Sequence, residues 1–270
     1  MRAAMTFRRI RILLLLGMLA AALSLTWLDR FMARDWRVPL DVMVTPINGD
    51  GSAQAAEAIR GLKGTDFADI DAFLEREIAR YGVRQSPAIE VTLRPELHER
   101  PPAPPHDGSV LNTVLWSLKL RWWVYRQSGL LLPQLGKIKL FLLYHAPQDG
   151  VPLDHSLGLQ EGLIGVVHVF ADPGQAGQNN IVVAHELLHT LGATDKYDAQ
   201  GLPRYPQGYA EPELPQSVPR RDAEIMAGRL LAANGRAEMP PGLGRCLIGP
   251  LTAHEINLDE AFTRRFSSPR

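Results

Sequence analysis

The sequence predicts an α/β domain carried on one N-terminal membrane helix. The domain is expected to hold a mixed, mostly parallel, twisted sheet with packed helices, and to end in a smaller, irregular or helical C-terminal part. Three observations predict this. A charge-free apolar run stands near the N-terminus, strand-like and helix-like segments alternate from Leu40 to Thr190, and beyond residue 192 the periodicity gives way to chain rich in proline and glycine.

At the N-terminus, Arg2, Arg8, Arg9 and Arg11 precede Ile12 to Leu28, 17 residues without a charge, closed by Asp29 and Arg30. The run is short for a spanning helix of about 20 residues and longer than the usual signal h-region of about 7 to 15. Anchor and signal peptide therefore both fit. Ala20-Ala21-Ala22 offers small residues for cleavage, but Leu23 to Leu28 continues the apolar run past them and favours an uncleaved anchor. Residues 1–36 are then a cytoplasmic basic stub and membrane anchor. The positive-inside rule puts residues 37–270 on the far side of the membrane; secretion after signal cleavage is the alternative.

Within residues 37–270 the elements follow in order. Leu40 to Thr45 alternates like a strand and meets a turn at Pro46-Ile47-Asn48-Gly49. A short helix fits Ser52 to Leu62. Phe67, Ile70, Leu74, Ile78 and Tyr81 step by three and four and mark an amphipathic helix from Thr65. Ala88 to Leu93 reads as a strand, and the proline-rich stretch from Pro95 to Ser109 as a loop. Leu111, Leu115, Leu118, Trp122 and Tyr125 form one face of a third helix, expected to pack on the sheet. Its Trp116, Trp122 and Trp123, with Lys119, Arg121 and Arg126, also fit a membrane surface.

Lys137 to Tyr144 and Gly162 to Ala171 are the next strands, and the second is the expected cleft edge. His168 on that strand and His155 in the loop before it read as packed or solvated histidines. Asn179 and Asn180 are N-cap candidates for an apolar helix through Thr190, which Gly192 stops. Gly201 to Pro219 reads as a loop wall, and Thr252-Ala253-His254-Glu255 as a capping box opening a last helix.

Composition bounds the rest. With 46% hydrophobic residues, residues 37–270 can bury one sizeable core. Lys and Arg number 29 and so do Asp and Glu, which gives no reason to expect nucleic acid as a partner. Cys246 is the single cysteine, so an intrachain disulfide and a CxxC zinc site are excluded; it lies downstream of the site, which gives a cysteine-switch propeptide no support, and the thiol is expected to be packing.

The chemistry lies in His185-Glu186-Leu187-Leu188-His189. Four residues apart on a helix, His185 and His189 point ring nitrogens at one ion, half of a tetrahedral zinc site. Glu186 lies about 100° round the helix, beside the position of a metal-activated water, as a general base. Zinc lowers the pKa of such a water towards about 7. Gly192 allows a positive φ that turns the chain back and brings Asp195 to the metal as a third ligand.

From His185 to Asp195 the sequence resembles the extended signature of the metzincin clan of zincins, in the variant with aspartate as third ligand, as in the snapalysin type. Asp195-Lys196-Tyr197-Asp198 also resembles the ending found in bacterial immune-inhibitor-A-like metallopeptidases. The clan's methionine turn is matched by Ala223 to Gly228, with Met226 coming 37 residues after His189. The resemblance implies a zincin fold divided at the cleft, with residues 37–192 above and 193–270 below. It implies zinc on His185, His189 and Asp195, Glu186 as base, and Met226 as the floor. It also implies a bacterial inner-membrane zinc metalloendopeptidase with an extracytoplasmic catalytic domain and a peptide or protein substrate.

The sequence departs from the clan where a tyrosine would follow the methionine. Tyr197, Tyr205 and Tyr209 all precede it and stand as oxyanion candidates, Tyr197 with Asp198 being nearest the ligands. Asp198 reads as an orienting partner or loop cap. If Asp195 instead orients a ligand, Glu211, Glu213 or Glu224 is the third one. Two other functions stay open: a non-catalytic zincin-fold binding or scaffold protein, and a zinc hydrolase of small amides or cell-wall peptides. Turnover separates the first and a substrate screen the second.

Overall fold

The computed structural model describes residues 7–105, 109–128, 135–148, 153–231 and 236–258. The chain enters through α1 (Phe7–Ala33), a 27-residue apolar helix long enough to cross a membrane, whose candidate span makes no buried contact with the rest of the chain. There follow β1 (Leu40–Asn48), α2 (Ala53–Gly61), α3 (Ala68–Arg80), β2 (Ile89–Leu93), α4 (Val110–Ser128), β3 (Ile138–His145), β4 (Leu157–Leu159), β5 (Ile164–Phe170) and α5 (Ala176–Thr190). The C-terminal part holds the short strands β6 (Ala223–Glu224), β7 (Leu230–Leu231), β8 (Ala237–Glu238) and β9 (Cys246–Leu247), then α6 (Pro250–Glu255).

The large sheet has the order β2-β1-β3-β5-β4, parallel except for β4. β3 is buried on both faces and reads as a near-continuous apolar run, as a strand covered on both sides must. α2, α3 and α5 lie over the main core, in which Phe73, Leu74, Ile78, Leu140, Val167 and Ile181 are fully buried. α4 covers the other face through Trp116, Leu120, Trp123 and Val124, with Trp123 edge-on to Phe141 at 4.9 Å. This is the mixed α/β architecture with a mostly parallel sheet that the alternating pattern predicts.

Five local expectations need correction. β1 does not stop at the turn expected from Pro46; it pairs with β3 as far as Asn48. β2 ends opposite Val44, so Pro46 lies beyond that ladder, and its missing N–H breaks none of the β1–β2 pairs. α5 starts at Ala176, and Asn179 and Asn180 lie inside it instead of capping it. Their amides tie the helix outward, Asn179 to the Phe170 backbone and Asn180 to the Asp66 carbonyl. The sheet edge is β4, not β5, because residues 157–159 fold back antiparallel on β5.

α4 turns the other way from the expected packing. Its inward face is Trp116, Leu120, Trp123 and Val124, while Leu111, Leu115, Leu118 and Trp122 are exposed. Both faces of α4 are apolar, and helical periodicity does not say which one a sheet will take. Finally, α6 begins at Pro250 with Gly249 as its N-cap, so Thr252 lies inside the helix and Glu255 ends it, and both side chains are free to act elsewhere.

The C-terminal part is bolted to the domain by long-range polar contacts. Buried Glu77 of α3 accepts from Ile248 N at 2.8 Å, Arg76 donates to the carbonyls of Leu243 and Cys246, and Trp36 donates to Ile256 O at 2.9 Å. Cys246 is fully buried and its thiol is pushed up to about 12 by burial, which leaves it protonated packing.

Candidate metal centre

α5 presents His185 and His189 one turn apart, with rings edge-on at 4.6 Å between centroids. Each ring is held through Nδ1 by a backbone carbonyl: His185 by Ile225 O at 3.0 Å, His189 by Ala193 O at 2.7 Å. A carbonyl only accepts, so Nδ1 carries the proton in both rings, and both Nε2 lone pairs point inward. The two carbonyls come from different places. Ala193 belongs to the turn closing α5, and Ile225 to the strand-and-turn segment that contains Met226.

Gly192 makes that turn. At φ +106° it takes a backbone conformation open to glycine, its N–H donates to His189 O, and Ala193 N donates to Leu188 O. A Cβ there would also sit 2.6 Å from the Gln160 amide. Asp195 follows. Its Oδ1 lies 3.2 Å from His185 Nε2 and 3.1 Å from His189 Nε2, and the two Nε2 atoms are 3.0 Å apart.

These three distances test the fit of a metal. Ligands about 2.0 to 2.1 Å from a tetrahedral zinc ion are about 3.3 Å from one another. The observed edges are slightly shorter, and they belong to three acceptors that converge with no donor among them once Nδ1 holds each ring proton. A cation satisfies that geometry, and the two imidazoles and one carboxylate are zinc's ordinary donors. Among the described residues this is the group of histidines and carboxylates assembled closely enough to hold an ion.

Charge follows the same logic. Burial alone would raise Asp195, but the two imidazoles at its Oδ1, which attract the ionised carboxylate whenever either ring is charged, hold it well below the usual carboxylate range. Burial would lower His185, and Asp195, Glu186 and the Ile225 carbonyl raise it instead. Glu186 is raised by burial, partly opposed by the two histidines. Its Oε2 is buried without a hydrogen-bond partner, an orphaned acceptor beside the triangle of His185, His189 and Asp195.

Of the remaining sequence candidates, Tyr197 reaches the centre. Its ring lies near-parallel to His185 at 6.3 Å, and burial, followed by the nearby Asp195 carboxylate, pushes its hydroxyl up to about 12. It stays a donor at neutral pH. Asp198 is taken up by its own loop, where Oδ1 accepts from Gln200 N and Leu202 N. Tyr205 donates to Leu214 O, and Tyr209 is buried beneath the guanidinium of Arg220. Glu211 and Glu213 are exposed and outside the ligand group.

Glu224 is also outside the ligand group and has a structural task. Fully buried, it accepts from Met226 N at 2.6 Å, Ala227 N at 3.0 Å, Gly249 N at 3.3 Å and the Thr252 hydroxyl at 2.5 Å. It thereby folds the turn containing Met226, whose side chain is fully buried in the main core. Burial raises its carboxyl, and Thr252, the Gly249 N–H, the charge of Lys196 and the Met226 N–H oppose the rise.

Three residues escaped sequence reasoning. Gly158 of β4 lets the edge strand press on α5, since a Cβ would fall 2.5 Å from both Glu186 O and His189 Cβ. Glu255 accepts from Thr194 N and Oγ1 and from buried Lys196 Nζ at 2.6 Å, so it grips both neighbours of Asp195. Thr252 holds Glu224. Only the glycine left a local signal, a lone Gly in an alternating run, which marks a close backbone approach.

No protein-family model and no curated protein matches this sequence. Among solved structures, wild-type OgpA from Akkermansia muciniphila is similar at 12% identity and a TM-score of 0.41 over 82% of this chain. Catalytically inactive OgpA in complex with an O-glycopeptide substrate, glycodrosocin, is similar at 11% identity and a TM-score of 0.39, again over 82% of this chain. This chain spans 60% of the length of each of those OgpA chains.

Proposed function

We propose that this protein is a zinc-dependent endopeptidase of zincin type, anchored by α1, with His185, His189 and Asp195 as ligands and Glu186 as general base. The observation that carries it is the triangle of three converging acceptors beside the orphaned Glu186 Oε2. Zinc bound there supplies Lewis-acid polarisation of the scissile carbonyl and activation of the attacking water.

The chain's own groups do the rest. Glu186, raised by its burial, takes a proton from the attacking water and passes it to the leaving amine. Tyr197 stays protonated and offers its hydroxyl to the developing oxyanion. β4 ends the sheet, so its outer edge can pair with an extended peptide, and Gly158 keeps that edge close to Glu186. Peptide backbone is the substrate feature such an edge reads.

The test is metal analysis and a peptide-library digest of the full chain. Purified protein is expected to hold about one zinc. Glu186→Gln is expected to keep that zinc and to lose peptide hydrolysis by at least about 10²-fold. A protein that holds no zinc, or a Glu186→Gln variant as active as the parent, overturns the reading.

A further inference from the structure

α4 is a helix with two apolar faces. On a wheel of about 100° per residue, Trp116, Leu120, Trp123 and Val124 fill one side and enter the core under the sheet. Leu111, Val114, Leu115, Leu118 and Trp122 fill an arc on the opposite side. Leu111 is 67% exposed, Leu118 53% and Trp122 62%. Lys119 and Arg126 border that stripe on one flank and Arg121 on the other, and no acidic residue occurs between Val110 and Ser128.

The stripe lies close to where α1 meets the domain. The last turns of α1 are fixed: Asp29 accepts from Gly136 N at 2.7 Å, Arg30 pairs with Glu161, and Arg34 donates to Glu255 O. Gly136 is held at φ +73°, and a Cβ there would sit 3.1 Å from Met32 Cβ. Phe141, five residues after Gly136, meets the ring of Trp123. At about 3.4 Å per residue, Phe141 lies within about 17 Å of Gly136 at the α1 exit, and Trp123 of α4 packs directly on it.

We infer that the outer face of α4 docks on the bilayer that α1 crosses, with Leu115, Leu118 and Trp122 in the acyl boundary and Lys119, Arg121 and Arg126 on anionic headgroups. This rests on α1 being the anchor. An amphipathic helix with an apolar arc, an interfacial tryptophan and flanking cations is the chemistry that lies in a membrane interface. Trp122, stacked on Tyr125 at 5.7 Å, presents the flat amphipathic ring that headgroup regions favour. Such docking gives the domain a second attachment and fixes its orientation to the membrane, which α1 alone does not.

The experiment uses the full chain reconstituted in vesicles of zwitterionic lipid with about one-third anionic lipid, the surface charge that basic helices read. Spin labels are placed by Leu115→Cys, Trp122→Cys, Leu15→Cys on α1 and Glu57→Cys on exposed α2; native Cys246 is fully buried. Collision with oxygen against an aqueous nickel chelate reports lipid or water. Labels at 115 and 122 are expected on the lipid side with that at 15, and the label at 57 in water. If 115 or 122 behaves like 57 while 15 stays in lipid, docking is overturned and the anchor stands. If 15 is in water, the anchor fails and docking with it. Spin–spin broadening at 115 or 122 that disappears on dilution with unlabelled chain points to a second copy on this face, and also overturns docking.

Discussion

At the scale of single residues, the centre is built from groups whose protons are assigned by their neighbours. Carbonyls take Nδ1–H of His185 and His189, Asp195 is kept ionised, and Tyr197 is kept protonated. Tyr197→Phe removes a donor without removing a ligand. The variant is expected to retain zinc and the parent's fold while kcat falls by on the order of 10²-fold, read by steady-state kinetics beside metal analysis. On the proposed reading Asp195→Ala removes a ligand and is expected to fail to retain stoichiometric zinc after dialysis, unlike Glu211→Ala or Glu213→Ala, whose side chains lie outside the His185, His189 and Asp195 group. Parent-like zinc binding by Asp195→Ala would remove Asp195 from the ligand set. Sequence spacing marks these positions because His185, Glu186, His189, Asp195 and Tyr197 all sit within 13 residues, on one helix and the chain that directly follows it. It leaves the third ligand open between Asp195 and three glutamates, since loop closure around Gly192 is a matter of three-dimensional path.

At the scale of elements, α6 clamps both loops that complete the centre. Thr252 holds Glu224 and so the Met226 turn, and Glu255 holds Thr194 and Lys196 on either side of Asp195. Thr252→Val removes one of the four donors to the fully buried Glu224 carboxyl, and a loss of about 1–3 kcal/mol in denaturant unfolding is expected. Glu255 is depressed: burial would raise it, but hydrogen bonds from Lys196 and Thr194 lower it further. A carboxylate with a folded pKa below its unfolded value stabilises the fold fully above the unfolded value, near 4.5, and loses that contribution as pH falls towards its folded pKa. Thermal unfolding followed down from pH 6 is expected to show a decline below about pH 4.5. In Glu255→Gln that decline is expected to be shallower from a lower starting stability, because Lys196, only 3% exposed, then has no carboxylate partner. An equally steep acid limb in the variant would assign it to other carboxylates. The pair Thr252 and Glu255 imitates a capping box in sequence, yet Gly249 caps the helix and both side chains serve the centre.

At the scale of the whole molecule, the metal would tie together segments far apart in sequence: α5, the turn carrying Asp195, and through Ile225 O the Met226 segment. Binding to the native state alone stabilises by about 2.7 kcal/mol at a free metal concentration of 100 times Kd. For a domain of this size that is about 5–10 °C in Tm. Chelation is expected to lower Tm by that order and added zinc to restore it, whereas His189→Ala is expected to unfold at one temperature with or without chelator. Equal Tm values for the chelated and zinc-loaded parent would deny the metal any role in holding these segments. The alternation of strands and helices is legible in the sequence at this scale, as is the charge-free N-terminal run. The place of β4 at the sheet edge is not, because three residues of alternating pattern carry no information about which strand they will join.

What the sequence determines by itself is local. His185, Glu186 and His189 are read from helical spacing, the stop at Gly192 from its freedom at positive φ, and α1 from its uncharged length. What the tertiary structure alone decides is which distant groups meet these. It brings Ile225 O to His185, Glu224 and Thr252 to the Met226 turn, Glu255 to the loop of Asp195, and Gly158 against the backbone of Glu186. It also decides which of two apolar faces α4 turns inward. The physical reason is common to all of them. Periodicity and backbone preference act over a few residues and are written in order along the chain, whereas a hydrogen bond across 28 or 61 residues, or the choice between two equally apolar faces, depends on how packed elements are placed in space.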